Sequence, residues 1–155
     1  MKKSLQNEEN YEEVASSLEN VLDEKAYKVS LEGKKIVWVE DDEFLIDIIA
    51  RKLSVTKCIF SHTSEGEKAL KIINKEIPDI IILDIILSGM DGFEILRRIK
   101  SDPKIKQIPV ILLSNLGQAS DIEKGKNLGA ARFLVKATVT PNEIIDQIKE
   151  VLAGS

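Results

Sequence analysis

The chain has 155 residues, a formal net charge of −4 and a sequence pI near 5.2, a length that fits one domain with a single sizeable core. At 43% hydrophobic residues it is not a disordered chain, and its acidic balance gives no electrostatic grip on nucleic acid or an anionic membrane. The single cysteine, Cys58, forms no intrachain disulfide, no apolar run approaches the ~20 residues of a membrane helix, and acidic residues follow Lys2-Lys3 where the apolar part of a signal peptide would fall, so a reducing cytoplasm is expected.

Met1–Asn10 is polar and is expected to fray. Tyr11–Lys25 places Val14, Leu18, Val21 and Leu22 at helical spacing, which predicts an amphipathic helix. That stripe either packs on its own domain or faces a partner or a second copy, because a stripe alone does not name its receptor. Tyr27–Lys35 reads as a linker, so residues 1–33 form an extension ahead of a main domain at residues 34–155.

From Ile36 a repeating pattern sets in. Ile36–Val39 is a short apolar strand that ends in Glu40-Asp41-Asp42, and Leu45, Ile48, Ile49 and Leu53 mark the helix after it. Cys58–Ser61 is a second, weaker strand. Ser64-Glu65-Gly66-Glu67 has capping-box spacing, and Ala69, Leu70, Ile72 and Ile73 carry a helix to about Lys75. Ile80–Leu83 is too apolar and β-branched to face water on either side, so it is a central strand, and Asp84 stands where it ends. Gly92–Lys100 is a third helix, and Pro109–Leu113 a fourth strand ending at Ser114. Ser120–Leu128 is a short polar helix closed by Gly129, a left-handed cap. Arg132–Val135 is the fifth strand, ending at Lys136. Thr140-Pro141-Asn142-Glu143 is a capping box with proline at the first helical position, and Ile144, Ile145, Ile148, Val151 and Leu152 give the last helix its buried face.

Strands and helices in alternation predict a flavodoxin-like, doubly wound α/β fold: a five-stranded parallel sheet in the order 2-1-3-4-5, with helices on both faces and an N-terminal helical extension. In such sheets, sites form at the carboxyl ends of the strands. Glu40-Asp41-Asp42, Asp84, Ser114 and Lys136 all stand at such ends. A turn or capping role is the plain reading of Asp84 by itself, but four chemically active strand ends in equivalent places are hard to attribute to chance. Two carboxylates about 4 Å apart repel by roughly 4 kcal/mol at an effective dielectric of about 20. The cluster therefore wants a cation, and oxygen-only ligands suit a hard ion such as Mg²⁺. A carboxylate can also act as a nucleophile toward phosphorus, and a hydroxyl and an ammonium beside it suit an arriving phosphoryl group. No glycine-rich nucleotide loop is present and no Cys/His set supports zinc. His62 reads as a loop residue without a chemical partner, and Trp38 as core.

The set V-E-D-D-E-F, I-I-L-D-I-I-L-S-G-M-D-G, P-V-I-L-L-S and F-L-V-K, in this order and spacing, resembles the receiver domains of two-component response regulators, including the single-domain chemotaxis type. The resemblance runs from about Lys34 to Leu152. It implies that Asp84 is the phosphoacceptor and that Mg²⁺ is held by Glu40, Asp41, Asp84 and the backbone carbonyl of Ile86, with Asp42 as a shifted alternative in the acidic pair. It further implies that Ser114 and Lys136 contact the phosphoryl group, that Ser114 and Phe133 form a switch, and that a histidine kinase or phosphotransfer protein supplies the phosphoryl group. Three positions depart from the family pattern. Ser88 and Ala137 replace prolines and Asn115 replaces a small residue, and family geometry would make the Lys136–Ala137 peptide cis.

The expectation is a stand-alone, non-enzymatic receiver. It stores a signal on Asp84 and passes it to a downstream protein target through the face made by the fourth helix, fifth strand and fifth helix, with homodimerisation open and neither nucleic acid nor membrane as a partner. The alternative is a phosphorylation-independent scaffold that acts through its N-terminal helix. A small metal-dependent phosphatase would want an acid two residues after Asp84, where Ile86 stands.

Overall fold

The computed structural model describes residues 29–154, and the helix expected at Tyr11–Lys25 lies outside them. Five parallel strands pair in the order β2-β1-β3-β4-β5, as the alternating pattern predicts. They are β1 (Lys35–Val39), β2 (Ile59–Thr63), β3 (Ile80–Leu83), β4 (Val110–Ser114) and β5 (Arg132–Val135). The helices between and after them are α1 (Glu43–Ser54), α2 (Gly66–Glu76), α3 (Gly92–Ser101), α4 (Ala119–Asn127) and α5 (Pro141–Ala153), and a single 3₁₀ turn covers Lys136–Thr138.

The sheet has two faces because side chains alternate along a strand. On one face Val37, Val39, Ile81, Leu83, Val110 and Leu112 pack against Ala69 and Ile73 of α2 and Phe93, Leu96 and Ile99 of α3. On the other, Ile36, Trp38, Ile80, Ile82, Ile111 and Leu113 pack against Ile46, Ile49 and Leu53 of α1 and Ile144, Ile148 and Val151 of α5. Every residue of β3 is fully buried, which is why its sequence is a continuous apolar run rather than an alternation. Trp38 lies in this second layer, edge-on to Phe60 with ring centroids 6.3 Å apart.

Local signals account for most helix ends. Thr140 accepts from the Glu143 N–H, and the Glu143 carboxylate accepts from the Thr140 N–H, the reciprocal capping box expected there. Gly129 has φ +97°, and the Ala130 and Gly129 N–H groups close back on the Gly125 and Lys126 carbonyls, the left-handed cap predicted for α4. The capping box expected at Ser64 does not form. Helix α2 starts at Gly66 with Glu65 as an N-cap that makes no side-chain bond, because the Thr63 hydroxyl takes the Glu65 N–H and Glu67 reaches Arg98 instead. Strand β2 runs two residues further than its apolar stretch, since pairing Lys35 through Val39 with Ile59 through Thr63 sets its length. None of the described peptide bonds is cis, so Lys136–Ala137 is trans. A non-proline residue holds that form by about 2.5–4 kcal/mol. No helix among the described residues is long and apolar enough to cross a membrane.

Candidate functional site

The sheet itself positions the acids. The Asp84 N–H donates to the Val39 carbonyl at 2.9 Å, and the Glu40 N–H to the Thr63 carbonyl at 3.1 Å, so each backbone stays tied to its neighbour one residue past the strand. Both side chains are thereby held in a nearly water-free space: Glu40 is 0% and Asp84 4% exposed. Asp41, the next residue, is exposed. One carboxylate oxygen from each of Glu40, Asp41 and Asp84 falls within 4.8 Å of the others.

Lys136 reaches this pair from the end of β5. Its Nζ donates to Glu40 Oε1 at 2.6 Å and to Asp84 Oδ2 at 2.8 Å. Asp84 Oδ1 accepts from the Ile86 N–H at 3.1 Å. Burial pushes the Glu40 carboxyl up to about 7 from 4.5, opposed by the Lys136 hydrogen bond and reinforced by the charge of Asp84. Burial pulls the Lys136 ammonium down, but its hydrogen bonds and ion pairs with Asp84 and Glu40 outweigh that and hold it above the usual lysine value.

Glu40 Oε2 is buried with no hydrogen-bond partner. A buried carboxylate oxygen without a donor is costly, and here it belongs to an all-oxygen cluster of three acids. That donor set fits a hard divalent cation. Asp42 is used differently. Its Oδ1 accepts from the Phe44 and Leu45 N–H groups at 3.1 and 3.2 Å and caps α1. The shifted alternative for the acidic pair is therefore engaged as a cap, while Asp41 belongs to the cluster.

Above the carboxylates lies a cleft of about 230 Å³ lined by Asp41, Asp42, Asp84, Ile86, Ser114, Asn115 and Lys136. Ser114 ends β4 fully buried, its Oγ accepting from the Leu116 N–H at 3.4 Å. Phe133 stands three residues before Lys136 on β5, half-buried beside Leu112 and α4. A Cβ on Gly125 would meet its ring at 3.1 Å. The structure thus brings Glu40, Asp41, Asp84, Ile86, Ser114 and Lys136 together at one end of the sheet, with Phe133 beneath α4.

The loop from β3 to α3 closes over the site through Gly92. Its N–H donates to the Ile85 carbonyl at 2.8 Å, and a Cβ there would overlap the Asp84 carbonyl oxygen and stand 2.5 Å from Ile85 Cα. Asp91 caps α3 by accepting from the Phe93 N–H at 2.8 Å, a role signalled in the sequence by an acid three residues before Glu94. Sequence reasoning also missed the contact of His62, whose Nε2 lies 2.8 Å from the Glu40 carbonyl oxygen at the exposed end of β2. No local signal could have announced it.

A doubly wound sheet with three acids, a hydroxyl and a lysine at its carboxyl edge defines an α/β protein whose acidic cluster could hold a metal ion. The comparisons narrow this. The family model for the response regulator receiver domain matches residues 36–149, and the chain belongs to that family. The probable transcriptional regulator ycf27 of Guillardia theta is 35% identical over 125 residues, covering 80% of this chain and 48% of that protein. The response regulator PleD of Caulobacter vibrioides is 36% identical over 102 residues, covering 66% of this chain and 22% of that protein. The chain thus spans about half or less of the curated relatives it matches. Among solved structures, the BeF3-activated N-terminal receiver domain of Klebsiella pneumoniae RstA superposes with a TM-score of 0.69 at 30% identity, covering 76% of this chain and 97% of that one. The Vibrio cholerae chemotaxis protein CheY4, at 24% identity with a TM-score of 0.71, shares the fold.

Proposed function

We propose that Asp84 accepts a phosphoryl group from a phosphohistidine on a histidine kinase or phosphotransfer protein, and that the resulting acyl phosphate changes which protein target the domain binds. The observation that carries this is Lys136 bridging Asp84 and Glu40 at 2.8 and 2.6 Å at the floor of an open cleft. An Asp84 carboxylate oxygen attacks phosphorus, the O–P bond forms as the N–P bond breaks, and the imidazole leaves with the electron pair. Lys136, already donating to Asp84, follows the incoming phosphoryl oxygens, and the Ser114 hydroxyl contacts another. Glu40, Asp41, Asp84 and the Ile86 carbonyl would hold Mg²⁺, which would supply charge neutralisation for the phosphoryl oxygens.

Signal output follows from neighbours of the site. Ser114 drawn toward the phosphoryl group vacates space beside Leu112 and Phe133, and the position of Phe133 biases the surface formed by α4, β5 and α5. The departures at Ser88, Asn115 and Ala137 leave every reactive group in place. The direct test is uptake of label from acetyl phosphate with Mg²⁺ by wild type and Asp84→Asn. Equal labelling of the two rules Asp84 out. Beryllofluoride with Mg²⁺ separates the switch from the scaffold reading: amide shifts at Ser114 and Phe133 support the switch, and silence there supports a phosphorylation-independent scaffold.

A further inference from the structure

The end of the sheet opposite the acidic cleft carries an apolar surface that its own domain does not cover. Val55 is 83% exposed just past α1, and Ile59 is 50% exposed at the start of β2. Ile77 is 39% exposed after α2. Ile59 and Ile77 are brought near each other through β1, where Ile59 pairs in register with Lys35, whose ammonium donates to the carbonyl of Glu76, and Val55 stands four residues ahead of Ile59 in the turn before β2. Strand β2 is an edge of the sheet, with no strand beyond it among the described residues. Such an edge is ordinarily short, charged or covered.

The N-terminal chain leaves from this place. Leu31 is buried under the α1 and α5 layer, the Gly33 N–H donates to the Lys57 carbonyl at 3.0 Å, and the Ile59 N–H donates to the Lys34 carbonyl at 2.8 Å. Residues ahead of Val29 therefore start alongside Val55–Ile59. Residues 26–28 span about 10 Å at most, a tether short enough to keep the start of the 11–25 segment within reach of this surface.

Charge is complementary as well. Residues 4–24 contain seven Asp and Glu and no Lys or Arg. Around the apolar surface, Arg51 is in the last turn of α1, Lys57 is exposed in the turn after it, and Lys75 is in the last turn of α2. Of the nearby acids, Glu76 accepts from the Ser61 hydroxyl and Asp79 from the Lys35 N–H, and Glu32 and Asp79 are both exposed. The Val14, Leu18, Val21 and Leu22 stripe is thus an acidic, apolar segment tethered beside a basic, apolar surface.

We propose that residues 11–25 dock in cis on the surface formed by Val55, Lys57, Ile59 and Ile77, covering the β2 edge and leaving the acidic cleft open. A short tether gives an effective concentration of about 1 mM, so a contact of only millimolar intrinsic affinity is about half occupied. Because exposed charges contribute to it, salt weakens it.

The test uses the full chain, ¹⁵N-labelled, in a Cys58→Ser background with a nitroxide on Ser16→Cys, a position off the apolar stripe. Docking in cis lowers the Val55, Lys57, Ile59 and Ile77 amide signals by about half or more relative to the reduced label and leaves Ile122 on α4 unaffected. Adding Leu18→Asp and Val21→Asp to the same chain restores the signals. Three results overturn the proposal: no loss at these amides, loss centred elsewhere, or loss that survives Leu18→Asp and Val21→Asp. The same loss on ¹⁵N chains that carry no nitroxide, mixed with spin-labelled ¹⁴N chains, assigns the surface to a second copy and equally overturns docking in cis.

Discussion

Lys136 Nζ lies 2.6 Å from Glu40 Oε1, although the two residues are 96 positions apart and stand at the ends of β5 and β1. With Asp84 as the other acceptor, one ammonium compensates two buried carboxylates. Removing one member of a buried pair is far more costly than the pair is worth, because a charge is left without a partner. Lys136→Met is expected to lower stability by about 3–5 kcal/mol at pH 8 in chelator, with part of the loss restored by Mg²⁺. Urea unfolding with and without Mg²⁺ measures both effects.

Glu40 sets a pH dependence of its own. Its carboxyl is pushed up to about 7 when folded against 4.5 for the ordinary group. Between those values the folded protein holds a proton that the unfolded chain has released, so metal-free stability falls as pH rises through this window. The full span corresponds to about 3 kcal/mol, and Glu40→Gln is expected to flatten the slope. A divalent cation competes with the same proton, so stabilisation by Mg²⁺ grows from pH 5 to 7 and levels off above. Urea midpoints at several pH values, with chelator and with Mg²⁺, test this; a stability that rises between pH 5 and 7 only in wild type contradicts it.

Neighbouring acids have separable jobs. Asp42→Ala removes the α1 cap and is expected to cost about 1 kcal/mol while leaving Mg²⁺ affinity nearly intact. Asp41→Ala is expected to weaken Mg²⁺ binding at least tenfold while leaving metal-free stability within about 0.5 kcal/mol. Titration of the metal by calorimetry, paired with thermal melts, distinguishes the two residues. Reversed effects would return the metal role to Asp42.

Two glycines between the end of β3 and the first turn of α3 make a matched comparison. Gly89 has φ +88° with nothing within 4 Å of a Cβ, so Gly89→Ala is expected to cost about 1–2 kcal/mol of backbone strain. At Gly92 a Cβ collides with the backbone of Asp84 and Ile85. Gly92→Ala is therefore expected to cost about 4 kcal/mol or more and to reduce phosphoryl uptake in whatever folded protein remains, since the obstructing atoms belong to the reactive segment. Thermal melts and acetyl phosphate labelling read the pair.

Much of this was legible beforehand for a physical reason. A strand buried on both faces must be apolar throughout, so Ile80–Leu83 announced itself, and a charged residue following such a run marks the strand end that faces the site. Alternation of such units fixed the sheet order through topology. Less visible were features decided by distant contacts. Thr63 took the turn before α2 from Ser64, and Arg98 drew Glu67 away from the capping position. The extent of β2 came from its pairing with β1, and its edge position explains its weaker apolar signal. The sequence placed Glu40 and Lys136 at the same edge, but their contact depends on how far a lysine reaches across two intervening strands.

The backbone ties of Asp84 to Val39 and of Glu40 to Thr63 separate two kinds of inheritance in this molecule. The reactive acids are anchored to the sheet ladder, whereas Ser88 and Asn115 belong to loops that extend beyond it. Loop residues can change without displacing the anchored acids. A lineage can therefore vary such loops while its chemistry stays put, and the atypical residues around this site are the kind of variation that arrangement permits.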